Sequence, residues 1–306
     1  MSAPKIAMGP KSSRRVADAI RLGGGVPVTA ADEADALVWL PGGGIEGLRG
    51  VLAQGPGIRW IQLPFAGVEY YAAAGLLADG RTWTCAKGLF AEPVAEHALA
   101  LALAGLRLLP ERIQATEWGA AAGTSLFDRP VTIVGGGGIT AALIGLLRPF
   151  RARVTVVRRS VAPIPGAERV VGTQELQEVL PGALVVFLAL ALTPETTGII
   201  SAPELALLDH GAWLVNVARG AHVDTDALVD ALKRGDIGGA ALDVTDPEPL
   251  PTGHPLWDMP NCIITPHTAN TWDMVFPSVL DRIATNVAHF AAGEPLDGLV
   301  SADAGY

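Results

Sequence analysis

Residues 131–160, VTIVGGGGITAALIGLLRPFRARVTVVRRS, decide the fold. The apolar, β-branched run 131–134 reads as a strand and the four glycines after it as a tight turn. The pattern over 139–150 is helical, and 154–157 is a second strand ending on Arg158, Arg159 and Ser160. Strand, glycine turn, helix, strand is the setting that a dinucleotide-binding fingerprint requires. In that setting Gly135 permits the sharp turn. Gly137 lets the backbone approach a pyrophosphate, whose charge the helix N-terminus stabilises. Gly138 and Ile139 then open the helix. Two positions depart from the pattern. Thr140 stands where a third glycine is usual, and Arg158 where an acidic residue usually receives the ribose hydroxyls. The alternative is a glycine-rich turn that binds nothing; the flanking elements favour the nucleotide.

The chain has 306 residues, enough for two domains, and half of them are hydrophobic, so a substantial core can form. The net charge of −9 and pI near 5.1 argue against a nucleic-acid surface. Cys85 and Cys262 have no metal-ligand spacing and read as reduced thiols of a cytoplasmic protein with no metal. The first ten residues lack the apolar core of a signal peptide. The apolar stretches at 98–109 and 184–192 are too short or too interrupted to span a membrane.

Residues 1–90 read as a small α/β unit. It has strands at 5–8, 26–28, 36–40, 58–63 and 82–85, and helices at 13–22 and 45–53. A turn at 64–68 follows the fourth strand, at the end where ligands of open parallel sheets sit. Residues 91–109 form a helix that is apolar on most faces, which predicts burial, as between two domains. His97 within it reads as a packed, structural histidine. Beyond the glycine stretch the alternation continues. Helices are expected at 173–179, 201–208 and 225–234, strands at 183–190, 213–217, 239–244 and 263–265, and a last helix at 276–292. Strands alternating with helices predict a doubly wound parallel sheet.

Three polar residues stand just after strands of this second unit: Arg219 after LVNVA, Glu248 after LDV and His267 after IITP. Side chains at the C-terminal ends of neighbouring parallel strands converge on one crevice. The guanidinium can fork onto a carboxylate or carbonyl, and the histidine can exchange a proton near neutral pH. A neighbouring carboxylate favours the imidazolium. Singly each has an ordinary explanation as a turn or loop residue; their shared placement favours chemistry. His222 stands close enough behind Arg219 to touch a cofactor edge. His210, His254 and His289 read as capping, packing or surface residues. Asp243 either receives a cofactor amide or bonds the amides of its own loop.

At this point the chain resembles the D-isomer-specific 2-hydroxyacid dehydrogenase family, from about residue 62 to 292 and least in the first 60. The resemblance is carried by PVAEHALALALAGLR, VTIVGGGGI, LTPETTGIIS, WLVNVARGAHVDTDALVDAL, IGGAALDVTDPEPLPTGHPLW and PNCIITPHTAN. It implies an α/β fold of two Rossmann-like domains with doubly wound parallel sheets. Residues 1–95 and 275–306 would form the substrate domain, and 96–274 the domain that binds NAD(P). Arg219 is similar to the family's substrate-orienting arginine, Glu248 to the glutamate paired with the histidine, and His267 to the acid/base. Asp243 resembles the residue that receives the nicotinamide carboxamide. Ala66, Gly67 and Val68 resemble the loop whose amides hold the substrate carboxylate, with Lys87 close to that pocket. The expected cofactor contacts are Gly135, Gly137, Gly138, Ile139, Arg158, Arg159, Leu190, Val217, Ala218, Asp243 and Asn270. Arg158 and Arg159 in place of a carboxylate suit a 2′-phosphate and favour NADP, with NAD as the alternative.

The expected reaction is hydride transfer between NADPH and a small 2-oxo acid such as glyoxylate or hydroxypyruvate, in a cytoplasmic homodimer formed through the central domain. One rival is NAD-linked oxidation of a 2-hydroxy acid or of an unusual acid such as phosphite. Another is an NAD(H)-sensing, partner-binding protein with little turnover. The intact set Arg219, Glu248 and His267 argues against the sensor.

Overall fold

A computed structural model describes residues 2–300. The chain divides into two compact units. Unit 1 takes the residues up to Phe90 and from Thr271 on, and unit 2 takes Ala91–Asn270. The resemblance puts these boundaries at 95/96 and 274/275. The structure puts them at 90/91 and 270/271, because the helices that begin at Ala91 and Trp272 each pack whole into one unit.

Unit 1 begins with β1 (Lys5–Gly9), α1 (Arg14–Leu22), β2 (Val26–Val28), β3 (Ala36–Trp39) and α2 (Gly44–Gln54). It continues through β4 (Trp60–Gln62), α3 (Glu69–Ala73) and β5 (Thr82–Thr84). Its sheet runs β2-β1-β3-β4-β5, with every pair parallel. Ser13 caps α1 by accepting from the Val16 amide, and Gly23 ends the helix.

Unit 2 opens with α4 (Ala91–Leu106) and α5 (Leu109–Gln114), then β6 (Pro130–Val134), α6 (Gly138–Leu147), β7 (Arg153–Val157) and β8 (Arg169–Val171). It continues with α7 (Leu176–Val179), β9 (Val185–Leu188), α8 (Ala202–Leu205), β10 (Trp213–Asn216), α9 (Thr225–Arg234), β11 (Gly239–Leu242) and β12 (Cys262–Ile264). The sheet order is β12-β11-β10-β9-β6-β7-β8, all parallel. The chain winds outward from β6 to β8, returns to β9 and winds the other way. The switch point therefore lies between β6 and β9, where a crevice opens at the strand C-termini. β9, β10 and β11 are buried at every residue, as the continuous apolar runs of a sheet covered on both faces require. α10 (Trp272–Ala292) belongs to unit 1 and packs on α1.

The sequence reading and the structure differ at several places, each for a local reason. The helix read over 139–150 stops at Leu147; Pro149 lies in a following 3₁₀ turn over Arg148–Phe150. The 173–179 segment starts as a 3₁₀ turn, Thr173–Glu175, before α7. The 201–208 helix is only α8, closed at its start by a reciprocal box in which Glu204 Oε2 accepts from the Ser201 amide and hydroxyl. α10 begins at Trp272 rather than at 276, carrying Pro277 inside the helix instead of in its first turn. β8, α3 and α5 escape the sequence reading. α4 buries one face, with Val94, Ala95, Ala98, Leu101, Ala102, Gly105 and Leu106 turned onto α6, β10 and β11. No described helix is long and apolar enough to cross a membrane.

Candidate active site

The site is built from the loops that leave the C-terminal ends of β6, β9, β10, β11 and β12. Gly135 leaves β6 with φ of 124°, and an added Cβ would lie 2.0 Å from the Ala189 carbonyl oxygen beyond β9. Only glycine suits both the backbone and that approach. Thr140, the departure from the fingerprint, is fully buried, and its hydroxyl donates to the Gly135 carbonyl at 3.0 Å. The hydroxyl ties helix α6 to the turn, so the β-branched residue closes the loop that a third glycine would only pack against.

The residues at the crevice suit a dinucleotide. Gly137 is the N-cap of α6 with no side-chain cap, and a Cβ there would meet nothing within 4 Å. The first amides of α6 thus stand at an open face where a phosphate can complete them. Gly138 starts the helix against Ala91, and Ile139 is half-buried behind it. Arg158 follows β7, half-buried, with its amide bonded to the Val171 carbonyl of β8. Arg159 is exposed beside the loop after β9. In that loop the Glu195 carboxyl lies below its ordinary range, first through the Thr193 hydroxyl and then with help from the Arg159 charge.

On the other side of the switch point, Asn216 ends β10 fully buried. Its amide group donates to the Arg219 carbonyl at 2.9 Å and its oxygen accepts from the Ala218 amide at 3.0 Å, clamping the turn. Val217 and Ala218 are buried within that turn. Arg219 Nη1 donates to the Ala218 carbonyl at 2.7 Å. Gly220 follows because a Cβ would lie 2.0 Å from the Thr245 carbonyl, so the loops carrying Arg219 and Glu248 touch only through a glycine.

His222 corrects its sequence reading: it is fully buried, with Nδ1 2.9 Å from the Thr196 oxygen and Nε2 3.3 Å from the Leu190 oxygen. It pins the half-buried Leu190 and the 190–200 loop and has no exposed edge for a cofactor. His254 caps a short 3₁₀ turn by accepting from the Leu256 amide, and His210 bonds the Gly235 carbonyl.

Glu248 and His267 meet directly, with Oε1 2.7 Å from Nδ1 and both side chains about half-exposed. His267 has φ of 52°, a left-handed conformation that costs a residue with a Cβ about 1–2 kcal/mol. Its amide donates to the carbonyls of Asp243 and Thr265. Asp243 is 2% exposed. Its Oδ1 accepts from the Thr265 hydroxyl at 2.6 Å and the Thr268 amide at 2.8 Å, and its Oδ2 from the Ala269 amide at 3.0 Å. His97 of α4 joins the cluster, with Nε2 3.0 Å from the Thr265 hydroxyl and 3.5 Å from Asp243. Burial alone would raise the Asp243 carboxyl; the bonds from His97, Thr265, Ala269 and Thr268 outweigh it and hold it at about 2. Asp243 thus bonds the amides of the loop that carries His267. Asn270 Oδ1, at the end of that loop, is buried with no hydrogen-bond partner, an acceptor available to a bound group. Sequence reasoning missed Asn216 and Thr265; the signal in each case was a polar residue at or just past the end of an otherwise apolar strand. Among the described residues no cluster is arranged to hold a metal ion.

In unit 1, Ala66 and Gly67 are half-buried and Val68 is buried ahead of α3. Phe65 meets Trp272 edge-on at 6.0 Å, and Trp272 stacks on Phe276 at 5.0 Å, so Trp272 is packed within its own unit. The Lys87 carbonyl accepts from Arg282 at 3.5 Å.

The parallel sheet with its switch-point glycine turn, and the Arg, Glu and His at its strand ends, define a nucleotide-linked oxidoreductase of the doubly wound α/β class. Residues 97–269 match the family model described as D-isomer specific 2-hydroxyacid dehydrogenase, NAD binding domain, and the chain belongs to that family. A Corynebacterium melassecola protein described as "Uncharacterized protein in proB 3′region" is 38% identical over 255 residues, spanning 81% of this chain and 84% of that one. Glyoxylate/hydroxypyruvate reductase A of Serratia proteamaculans is 36% identical over 177 residues, 58% of this chain and 56% of that one. Among solved structures, a D-isomer specific 2-hydroxyacid dehydrogenase from Xanthobacter autotrophicus Py2, in complex with NADPH and MES, superposes with a TM-score of 0.86. It is 27% identical, over 99% of this chain and 100% of that one.

Proposed function

We propose that the protein is an NADPH-dependent reductase of small 2-oxo acids, of the glyoxylate or hydroxypyruvate type. One observation carries the reading: the Glu248–His267 pair at 2.7 Å, on strand ends beside the loop that holds Arg219. The bound nicotinamide supplies the hydride that reduces the 2-oxo carbon. Arg219, anchored on the Ala218 carbonyl, forks onto the substrate carboxylate and polarises the adjacent carbonyl. With Nδ1 committed to Glu248, the Nε2–H of the imidazolium is the group that protonates the forming alkoxide. Glu248 stabilises that charged form and fixes the ring. The neutral imidazole is then recharged from solvent, to which the half-exposed ring is open.

Ala66, Gly67 and Val68 are assigned to the substrate carboxylate on the resemblance alone. Arg158 and Arg159 are assigned to the 2′-phosphate, supported by the absence of a carboxylate at that strand end and by the NADPH held in the Xanthobacter structure. Leu190, Val217, Ala218 and Asn270 complete the assigned cofactor contacts. A homodimer through unit 2 is proposed on the resemblance alone. A cytoplasmic location is proposed on the free Cys85 and Cys262.

The test is cofactor oxidation over a panel of 2-oxo acids, run in parallel with NADPH and NADH. Turnover of a short 2-oxo acid with NADPH preferred is the expected result. Tight cofactor binding with no turnover on any acid would overturn the reading.

A further inference from the structure

The four glycines after β6 are glycines for different reasons. Gly135 has a left-handed φ and abuts the Ala189 carbonyl. Gly137 faces open space at the head of α6, and Gly138 lies against Ala91. Gly136 fits none of these. Its φ is outside the left-handed region, so the backbone would accept any residue there. The nearest atoms in the space its side chain would fill all belong to Arg158: an added Cβ would lie 2.8 Å from the arginine Cδ and Nε and 3.1 Å from its Cβ. The Arg158 backbone cannot retreat freely, because its amide is bonded to the Val171 carbonyl of β8. The arginine side chain therefore lies against the glycine turn at Gly136, two residues before α6 begins.

We propose that Gly136 is a specificity-determining residue: its missing side chain makes room for Arg158 to lie over the turn and receive the 2′-phosphate of NADP(H). This rests on the NADP(H) reading above. Gly136 acts through Arg158 and touches no reacting atom. An alanine there turns the guanidinium away from the 2′-phosphate while leaving the pyrophosphate amides in place. Charge-assisted bonds of this kind set a loss of roughly ten- to a hundredfold in affinity for the 2′-phosphate, with none for the rest of the nucleotide.

The test is calorimetric binding of adenosine 2′,5′-bisphosphate and of adenosine 5′-monophosphate to the wild-type protein, Gly136→Ala, Arg158→Gln and the double variant. The wild type is expected to bind the bisphosphate at least about tenfold more tightly than the monophosphate. Gly136→Ala should lose most of that ratio and keep its monophosphate affinity. The double variant should be no weaker than Arg158→Gln, since both changes remove one interaction. A wild type indifferent to the 2′-phosphate overturns the cofactor reading and the inference with it. A wild-type preference that Gly136→Ala retains, or an equal loss for both ligands, overturns the inference alone. So does a Gly136→Ala chain that fails to fold, because a flexible arginine would then not be the only thing in the way.

Discussion

Asp243→Asn tests whether one buried carboxylate holds the loop that carries His267. The side chain accepts from the Thr265 hydroxyl and the Thr268 and Ala269 amides, with both oxygens used. A carboxyl held at about 2 against an ordinary 3.8 contributes about 2 kcal/mol at neutral pH. The asparagine NH₂ would also face a donor, and a buried amide left without an acceptor costs a further ~1–3 kcal/mol. For a unit of this size, the loss should lower its melting temperature by on the order of 10 °C. The sign follows from the direction of the shift. The folded carboxyl titrates below the unfolded one, so its contribution is complete above 3.8 and fades as pH falls toward 2. Calorimetric melting of wild type and variant at pH 7, 5 and 3 should show one gap at the two higher values and a smaller gap at the lowest. No gap at neutral pH, or a gap that ignores acid, would refute the role assigned to the carboxylate.

Glu248→Gln keeps a hydrogen-bond acceptor for His267 but removes the charge opposite the imidazolium. Its reductive kcat/KM should therefore fall by roughly tenfold, the loss of one charge-assisted hydrogen bond, measured by NADPH oxidation. Gly220→Ala forces a Cβ to within 2.0 Å of the Thr245 carbonyl and should destabilise unit 2 by about 3 kcal/mol or more, read from its thermal transition. Thr140→Val leaves the Gly135 carbonyl without its hydroxyl donor and should cost about 1–2 kcal/mol in urea unfolding. Thr140→Gly, which restores the common fingerprint, should cost more because it also opens a cavity.

Much of unit 2 was legible because parallel strands buried on both faces leave continuous apolar runs, and glycine and proline punctuate them. The strand-end placement of Arg219, Glu248 and His267 could be read from the chain because the polar residue after each apolar run marks the sheet's C-terminal edge. The pairing of Glu248 with His267 was legible only through the family resemblance, since the contact depends on how two separate loops turn back. Asn216 and Thr265 stayed hidden for a related reason. A buried or half-buried polar residue at a strand end looks like any other polar residue until its partners, the Ala218 amide and the Asp243 carboxylate, are in place. His222 misled because proximity to Arg219 in the chain suggested the crevice, whereas a 3₁₀ turn over Gly220–His222 rotates it into the core.

In the proposed reduction of a 2-oxo acid, His267 is the proton donor. His267→Gln leaves the nucleotide loop untouched and removes the transferable proton. With NADPH and the best 2-oxo acid of the panel, kcat should fall by about 10²–10⁴, while the NADPH Kd from fluorescence titration stays at the wild-type value. A variant that retains kcat within a few-fold of wild type would contradict the account.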